Sequence, residues 1–474
     1  MTNLPFRKTK IICTIGPAVD SPEQIRQLIQ AGMDVARLNF SHGNHDSHRR
    51  SIQIIRSLSK ELGKAVGILQ DLCGPKIRVG HLPVPEKVLK TDETILLSPH
   101  DSSDPNILPI NYPFLLDDVA VGDRILLADG SVELRVDEKN EAQLTAKVIV
   151  GGTIQSNKGV NLPSSSLRIP AFTEKDKADL QVGLEQGVDF VALSFVRHEN
   201  DLEPIREILA QQDHRPLLIA KIEKPQAVER LDAILSKVDG MMVARGDLGV
   251  EMPLEEVPMI QKQIIRAAGK AGKPVITATQ MLRSMMENPR PSRAEATDVA
   301  NAILDGTDAL MLSDETAIGR YPIEAVRILD RIARATEPNI DWSHFMEDPI
   351  SESLPPTEAA ISRSACWLAH DLSSAAIVAF TSSGSTARLV SRLRPSHPII
   401  ALTPHDSTQR QLGLSWGVIP VKVAAAQDTD EMFSMAGAWM LKNEIVQKGD
   451  NIILTAGVPV YMQGSTNLLK VIKI

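Results

Sequence analysis

Apolar residues along the chain gather into short, nearly continuous runs that each close on polar residues: "KIICTIGP", "DVARLNFSHG", "AVGILQDL", "DFVALSFVR", "LLIAKIE", "GMMVARGD", "PVITATQ" and "ALMLSDET". Runs of this length, rich in Val, Ile and Leu and lacking a polar face, predict strands buried on both sides. Between most of them the period shifts to that of an amphipathic helix. "DSPEQIRQLIQAGM" carries full helix punctuation, with Ser21 and Gln24 as a capping box, Pro22 at the first helical position and Gly32 past the end. Thr173 is the expected cap of another helix, "FTEKDKADLQVGLEQG". Eight such strands alternating with helices predict an α/β fold whose parallel sheet closes into a (β/α)8 TIM barrel.

The spacing adds an insertion. Steps between runs are 24 to 35 residues, except that 124 residues separate Val66 from Phe190. The excess, residues 73–165, contains "ETILLSP", "DRILLADGSVELRVDE" and "AQLTAKVIVGGTI", which alternate as antiparallel strands around an Asp129-Gly130 turn. A small inserted β domain at 73–165 is therefore expected between two barrel segments, 1–72 and 166–340. Past the eighth unit, "SHFMEDPISESLPPTE" reads as a linker. The α/β pattern then resumes in "SAAIVAFTSSGSTARLVSRLRP", "PIIALTP" and "NIILTAG", predicting a C-terminal α/β domain over 341–474.

Composition narrows the partners. A chain of 474 residues exceeds what one core usually holds. Its net charge of −8 and 3% aromatic content argue against nucleic acid or an anionic membrane as a general partner, so anion binding must be local. No run reaches about 18 apolar residues, and "MTNLPFRKTK" lacks a signal-peptide core. Cys13, Cys73 and Cys366 lie far apart without zinc-type spacing, which suits a reducing cytoplasm.

Barrel enzymes carry their chemistry at the C-terminal ends of the strands. There stand Arg37, Asn39 and Ser41; Asp71; Lys221 and Glu223; Arg245, Gly246 and Asp247; Thr279 and Gln280; Ser313 and Glu315. An acid at one such end is ordinarily a solvated loop or ion-pair residue. Glu223 and Asp247, on neighbouring strands with Lys221 beside them, instead match a Mg²⁺ site completed by substrate oxygens. Lys221 and Arg37 add a point charge and a fork for an anion, an arrangement suited to phosphoryl transfer. "ARGDLGVE" offers backbone N–H groups to a bound carboxylate or phosphate, although a glycine after a strand is often only a turn. Thr279 alone is more often a residue satisfying a backbone carbonyl than a catalytic one.

With these residues stand longer motifs: "TKIICTIGPA", "ARLNFSHG", "KGVNLP", "GVDFVALSFVR", "KIEKPQAV", "MVARGDLGVE", "TATQML", "RAEATDVANAILDGTDALMLSDETAIGRYP" and "TSSGSTARLVSRLRP". Together, and in order, they resemble the pyruvate kinase family over nearly the whole chain. The resemblance implies transfer of the phosphoryl group of phosphoenolpyruvate to ADP, giving pyruvate and ATP, with Mg²⁺ or Mn²⁺ as cofactor. It implies that Arg37 contacts the phosphoryl, that Lys221 stabilises it and that Glu223 and Asp247 bind the divalent ion. The backbone of Ala244, Arg245 and Gly246, with Thr279, would seat the substrate carboxylate, and Thr279 would lie on the route that protonates the enolate. Pro17, His42 and Lys158 match nucleotide positions. The insertion would be a small β-barrel lid, and the assembly a homotetramer. The extra C-terminal domain of some bacterial relatives is not expected, since the chain ends at Ile474.

The chain departs from the family pattern at "DLCGPKIRV". Many relatives read Asp-Thr-Lys-Gly-Pro-Glu-Ile-Arg-Thr there, and their monovalent pocket, matching Asn39, Ser41, Asp71 and the carbonyl of Leu72, holds K⁺. Lys76 at the Glu position shifts the local charge by two units toward positive, and Leu72 and Val79 remove threonine hydroxyls. K⁺ is therefore not expected to be required, with Lys76 as the built-in charge and Arg78 pairing with substrate phosphate or the acid network. Ser47 stands where relatives often carry an aromatic near the base, and Asp314 replaces a glycine without an evident physical reason.

In the C-terminal domain, Thr381, Ser382, Ser383, Gly384, Ser385 and Thr386 form a hydroxyl- and glycine-rich loop before a helix. A loop of that kind is either a simple cap or a phosphate site. In the family it binds a sugar phosphate, so a phosphorylated activator is expected, and "GVPVYMQGSTNLLKV" resembles the loop that covers it. Two other readings compete: a Mg²⁺-dependent aldolase or lyase that stabilises pyruvate enolate, distinguished by ADP-dependent pyruvate formation, and a metabolite sensor that binds phosphate ligands without turnover.

Overall fold

The computed structural model describes residues 6–165, 167–347, 351–459 and 466–474. Eight parallel strands form a closed barrel: β1 (Lys10–Thr14), β2 (Val35–Asn39), β3 (Gly67–Asp71), β4 (Phe190–Leu193), β5 (Leu217–Ile222), β6 (Gly240–Ala244), β7 (Val275–Ala278) and β8 (Ala309–Leu312). Each pairs with its neighbours in sequence, and β1 closes on β8 with Ile11 opposite Leu310. Ile12, Val35, Leu69, Phe190, Ile219, Met242, Ile276 and Met311 fill the interior, so the barrel is a packed core rather than a pore. The punctuation at 21–32 forms as read: Ser21 and Gln24 exchange capping-box bonds and Gly32 ends the helix at φ 129°. Thr173 caps Glu174–Glu185 with Asp176 as its box partner.

The lower rim shows a fourfold repeat. Asp34, Asp189, Asp239 and Asp308 each immediately precede an even-numbered strand. Each accepts the backbone N–H of an odd-numbered neighbour: Ile11 to Asp34 at 2.9 Å, Ile68 to Asp189 at 2.8 Å, Leu218 to Asp239 at 2.8 Å and Val275 to Asp308 at 3.0 Å. Each is also charge-paired, with Arg7, Arg56, Arg215 and Arg394 respectively. A short acid at these places satisfies a strand-end donor and locks the stagger between strands.

Between β3 and β4 lies a separate sheet of six strands with its own core, which includes Leu97, Ile125, Leu134 and Val148. Its edge strands, Val160–Asn161 and Ile107–Pro109, meet the same segment through single bridges, Arg78 to Gly159 and Val79 to Ile110. The stretch that follows Lys76 thus rolls the sheet toward closure. Ala128, Asp129 and Gly130 take positive φ between Arg124–Leu127 and Val132–Lys139, making the hairpin turn.

The C-terminal sheet has five strands in the order Val418–Lys422, Ile399–Thr403, Ala376–Phe380, Asn451–Gly457 and Thr466–Lys473, the last antiparallel. Two of these were not expected from sequence. Pro420 interrupts the signal of the first, yet Pro is tolerated because the strand is at an edge. The second corrects the reading of 457–471 as one covering loop: Thr466 to Lys470 are paired in the sheet, and 460–465 lie outside the described residues. This domain packs on the lower rim. Leu414 joins the barrel's interior cluster, Arg410 pairs with Asp189 at 2.7 Å and Arg394 with Asp308 at 2.8 Å. Strands β4 and β8 lie across the barrel from each other, so the domain grips opposite sides.

Candidate active site

At the upper rim, β2, β3 and β5 bring Arg37, Asp71, Lys221 and Glu223 together in one buried network. The Arg37 guanidinium donates to Asp71 Oδ2 at 2.7 Å and to Thr14 Oγ1 at 3.0 Å. Lys221 Nζ donates to Ser194 Oγ at 2.7 Å and lies 2.9 Å from Glu223 Oε1 and 3.3 Å from Asp71 Oδ1. The cations paired with Asp71 are thus Arg37 and Lys221, while Arg78, one candidate for that acid network, lies along the cleft wall.

Burial disfavours charge on Lys221, Asp71 and Glu223, and the neighbouring charges decide each outcome. Burial opposes the Lys221 ammonium, but Asp71, Glu223 and Asp247 outweigh it and hold the lysine charged well above its ordinary range. Asp71 is buried too, yet Lys221 and Arg37 keep its pKa below normal. Glu223 goes the other way: burial raises its pKa, and the nearby Asp247 reinforces burial against Lys221.

Glu223 Oε2 accepts the Phe195 N–H at 2.7 Å, whereas the buried Oε1 meets only the Lys221 ammonium, 2.9 Å away. An acid with one oxygen anchored by a backbone N–H and the other held by a side-chain ammonium alone, beside a second carboxylate, fits a divalent ion that takes its remaining ligands from substrate and water. No cluster of three or more His, Cys, Asp or Glu suited to a metal occurs among the described residues.

Asp247 lies on the short helix Arg245–Glu251 that follows β6. The first-turn N–H groups of this helix, next to Ala244, lack intrahelical partners. The Arg245 side chain points away from them, onto both oxygens of Asp298 (2.8 and 2.7 Å) and the carbonyl of Thr279 (2.8 Å). It is a brace for the next strand end. Thr279 and Gln280 both take positive φ, 73° and 57°, a conformation costly for a β-branched residue. Gly246 permits the close approach, since a Cβ there would lie 2.7 Å from Thr279 Cγ2.

A cleft of about 380 Å³ opens beside this network, walled by Lys76, Arg78, Asn157 and Asn161 from the inserted segment and by His42, Phe195, Lys224 and Asp247 from the barrel. Burial and then the charges of Lys76, Arg37 and Arg78 lower the pKa of His42. Pro17 and Lys158 are exposed; Lys158 lies between the cleft-lining Asn157 and Gly159, and its carbonyl holds the Val79 N–H. In the expected monovalent pocket, Asn39 Oδ1 accepts the Ser41 N–H at 3.1 Å and the Leu72 carbonyl accepts Ser194 Oγ–H at 2.8 Å. Ser47 forms a capping box with Asn44 on the helix His45–Glu61. Buried Glu315 anchors the Leu282 and Ser313 N–H groups, and exposed Asp314 meets Arg283 only at 3.9 Å.

The barrel part matches the family model "Pyruvate kinase, barrel domain" over residues 6–326, and 359–472 match "Pyruvate kinase, alpha/beta domain". The chain belongs to the pyruvate kinase family. It is 47% identical over 469 residues to "Pyruvate kinase" of Geobacillus stearothermophilus, spanning 98% of this chain and 80% of the relative. It is 49% identical to "Pyruvate kinase 2" of Synechocystis, spanning 98% and 79%. With "Pyruvate kinase" of Clostridium perfringens the match is 46%, over 99% of this chain and all of the relative. The crystal structure of a pyruvate kinase from Cryptosporidium parvum superimposes with a TM-score of 0.92 at 38% identity, covering 98% of this chain and 96% of that one. A phosphotransferase of this family takes phosphoenolpyruvate and ADP to pyruvate and ATP.

Sequence reasoning missed Thr14, Ser194, Phe195, Lys224, Glu251 and Asn161. Ser194 and Phe195 follow β4 and were legible as a strand end. Asn161 and Glu251 are 90 residues apart, and only the fold pairs them. In the C-terminal loop, Gly384 (φ 84°) donates to Thr381 Oγ1, Thr408 Oγ1 donates to the Ser382 carbonyl, Ser383 and Ser385 hydroxyls bond each other, and Thr386 bonds Thr466.

Proposed function

We propose that Arg37, Arg78, Lys221, Glu223, Asp247 and Thr279 perform the family reaction in this chain, with Mg²⁺ or Mn²⁺ held by Glu223 and Asp247. The observation that carries the reading is the buried Arg37–Asp71–Lys221–Glu223 network, with Asp247, which acts on both Lys221 and Glu223, lining the adjoining cleft. In the transfer, the bond from phosphorus to the enol oxygen breaks and one forms to a β-phosphate oxygen of ADP. The enolate left behind takes a proton at its methylene carbon. Lys221, kept charged, faces the phosphoryl oxygens, and Arg37 and Arg78 add forked donors. The backbone of Ala244, Arg245 and Gly246 holds the carboxylate, Thr279 stands by the protonation route, and Pro17, His42 and Lys158 flank the nucleotide. A divalent ion bound at the two carboxylates supplies charge neutralisation on the transferring oxygens. Residues 73–165 act as the lid, the barrel spans 1–72 and 166–340, and 341–474 form the effector-binding domain.

K⁺ independence is supported by two features. Asp71 already faces two fixed cations, and Lys76 lines the cleft as a third positive group. Wild-type activity at constant ionic strength is expected to differ less than twofold between K⁺ and a large organic cation. Lys76→Glu is expected to create a K⁺ requirement. Strong activation of the wild type by K⁺ alone sinks this reading.

Activation by a phosphorylated metabolite at 381–386 is supported by the loop's connections. Thr408, bonded to Ser382, shares the helix Asp406–Gln411 with Arg410, which pairs with Asp189 beneath β4. The top of β4 continues into Ser194 and Phe195, which hold Lys221 and Glu223. A homotetramer is supported by apolar side chains left exposed, with Leu254, Met259 and Ile318 on the barrel and Trp367 on the C-terminal domain. The free cysteines accord with the cytoplasm, and no helix among the described residues is long and apolar enough to cross a membrane.

A further inference from the structure

The inserted segment touches the barrel's short helix Arg245–Glu251 at two points. At its hairpin turn, Gly130 sits close enough to Val250 that a Cβ on the glycine would lie 3.6 Å from Val250 Cγ1. At its last strand, Asn161 Nδ2 donates to Glu251 Oε1 at 2.7 Å. The same Oε1 lies 2.5 Å from Lys224 Nζ, and both ionic side chains are buried, with Glu251 4% and Lys224 5% exposed. Glu251 Oε2 is buried without a hydrogen bond. Lys224 immediately follows Glu223 and lies 5.7 Å over the ring of Phe195, whose N–H anchors Glu223. Glu251 lies one helical turn past Asp247. A buried ion pair is a costly thing to build for stability alone. Here it reaches both carboxylates of the site and meets a side chain from across the cleft.

We propose that Asn161, Lys224 and Glu251 form a latch: Asn161 reports lid closure to the helix bearing Asp247, and the Lys224–Glu251 pair holds that helix against the Glu223 turn. None of the three belongs to the Arg37–Asp71–Lys221–Glu223 network, and Asn161 and Lys224 stand in the cleft wall beside it. They are positioning residues, and the inference rests on the reading of 73–165 as a lid. The chemistry of the contact is specific, because an amide N–H donates to a carboxylate oxygen that the buried Lys224 side chain also contacts.

Asn161→Asp separates this role from packing, since it keeps the shape of the side chain and puts a carboxylate against Glu251. Asn161→Ala removes the donor without adding charge. Losing a hydrogen bond to a charged partner predicts roughly a 10- to 100-fold fall in kcat/KM for phosphoenolpyruvate in Asn161→Ala. A larger fall is expected in Asn161→Asp, with melting temperatures near wild type in both. Hydrogen exchange on the full-length protein supplies the second readout. Phosphoenolpyruvate with Mg²⁺ is expected to protect residues 73–165 in the wild type and to lose most of that protection in both variants. If Asn161→Asp matches wild type in kcat/KM and protection, or is milder than Asn161→Ala, the latch is refuted while the enzymatic reading stands. If the wild type itself forms no pyruvate from phosphoenolpyruvate and ADP, the enzymatic reading fails first.

Discussion

Replacing Gly246 by Ala tests how tightly the strand-end turns are fitted. The added methyl would sit 2.7 Å from Thr279 Cγ2, 3.5 Å from its Cβ and 3.6 Å from Oγ1. Carbon atoms rest at about 3.5–4.0 Å, so the first contact is roughly 1 Å too short. Thr279 cannot relax cheaply. Its φ is 73°, and its carbonyl is held by Arg245, itself gripped by Asp298. Either the start of the Asp247 helix or the Thr279 hydroxyl must move by several tenths of an ångström. Overpacking of this kind costs about 1–3 kcal/mol in stability. A displacement near 1 Å at reacting groups costs on the order of a hundredfold in kcat. The assay is a thermal melt together with steady-state pyruvate formation at saturating phosphoenolpyruvate, ADP and Mg²⁺. Thr279→Ser, which keeps the hydroxyl and deletes Cγ2, is expected to restore most of the lost rate when combined with Gly246→Ala, a non-additivity diagnostic of direct contact. Independent effects of the two substitutions would refute the steric argument, as would a Gly246→Ala enzyme with wild-type rate.

Two further outcomes follow from the lower rim. Burial opposes the Asp34 carboxylate, but Arg7, Lys64 and Lys10 and the Ile11 N–H together hold its pKa at about 2, below the ordinary 3.8. The ionised form is the one the fold favours, so its contribution, about 2 kcal/mol, is present above pH 4 and drains away as pH falls toward 2. Urea titrations are expected to show Asp34→Asn losing that part of the acid-side slope, and an unchanged slope would contradict it. Asp189→Asn strips Arg56 and Arg410 of a shared buried partner. About 3 kcal/mol of stability is expected to be lost, together with a smaller ratio of activity with and without a sugar phosphate; an unaltered ratio would argue against transmission through β4.

The barrel was legible because its strands are buried on both faces and their apolar runs end where the chain meets solvent, as at Asp71 and Glu223. The candidate residues Arg37, Asp71, Lys221 and Glu223 were legible for the same reason, since each stands where such a run ends at the upper rim. Pairing was not. That Asp71 bonds Arg37 and Lys221, or that Arg245 braces Thr279 instead of facing substrate, depends on strand register. The aspartates at 34, 189, 239 and 308 stood in plain view ahead of their strands, yet their common task appears only when each is set beside a neighbouring N–H. Pro420 hid an edge strand, because the rule that removes Pro from sheets applies to central strands.

The central claim is that Glu223 and Asp247 hold a divalent ion against the phosphoryl group that Lys221 and Arg37 neutralise. Glu223→Gln keeps an acceptor for the Phe195 N–H and removes only the charge. Its Mg²⁺-dependent pyruvate formation, measured against metal concentration in protein shown to be folded, is the most direct test. The expected result is a fall in kcat of at least about a hundredfold, with half-activation displaced to much higher Mg²⁺. A folded Glu223→Gln enzyme with the wild-type rate and the wild-type Mg²⁺ curve would contradict the claim.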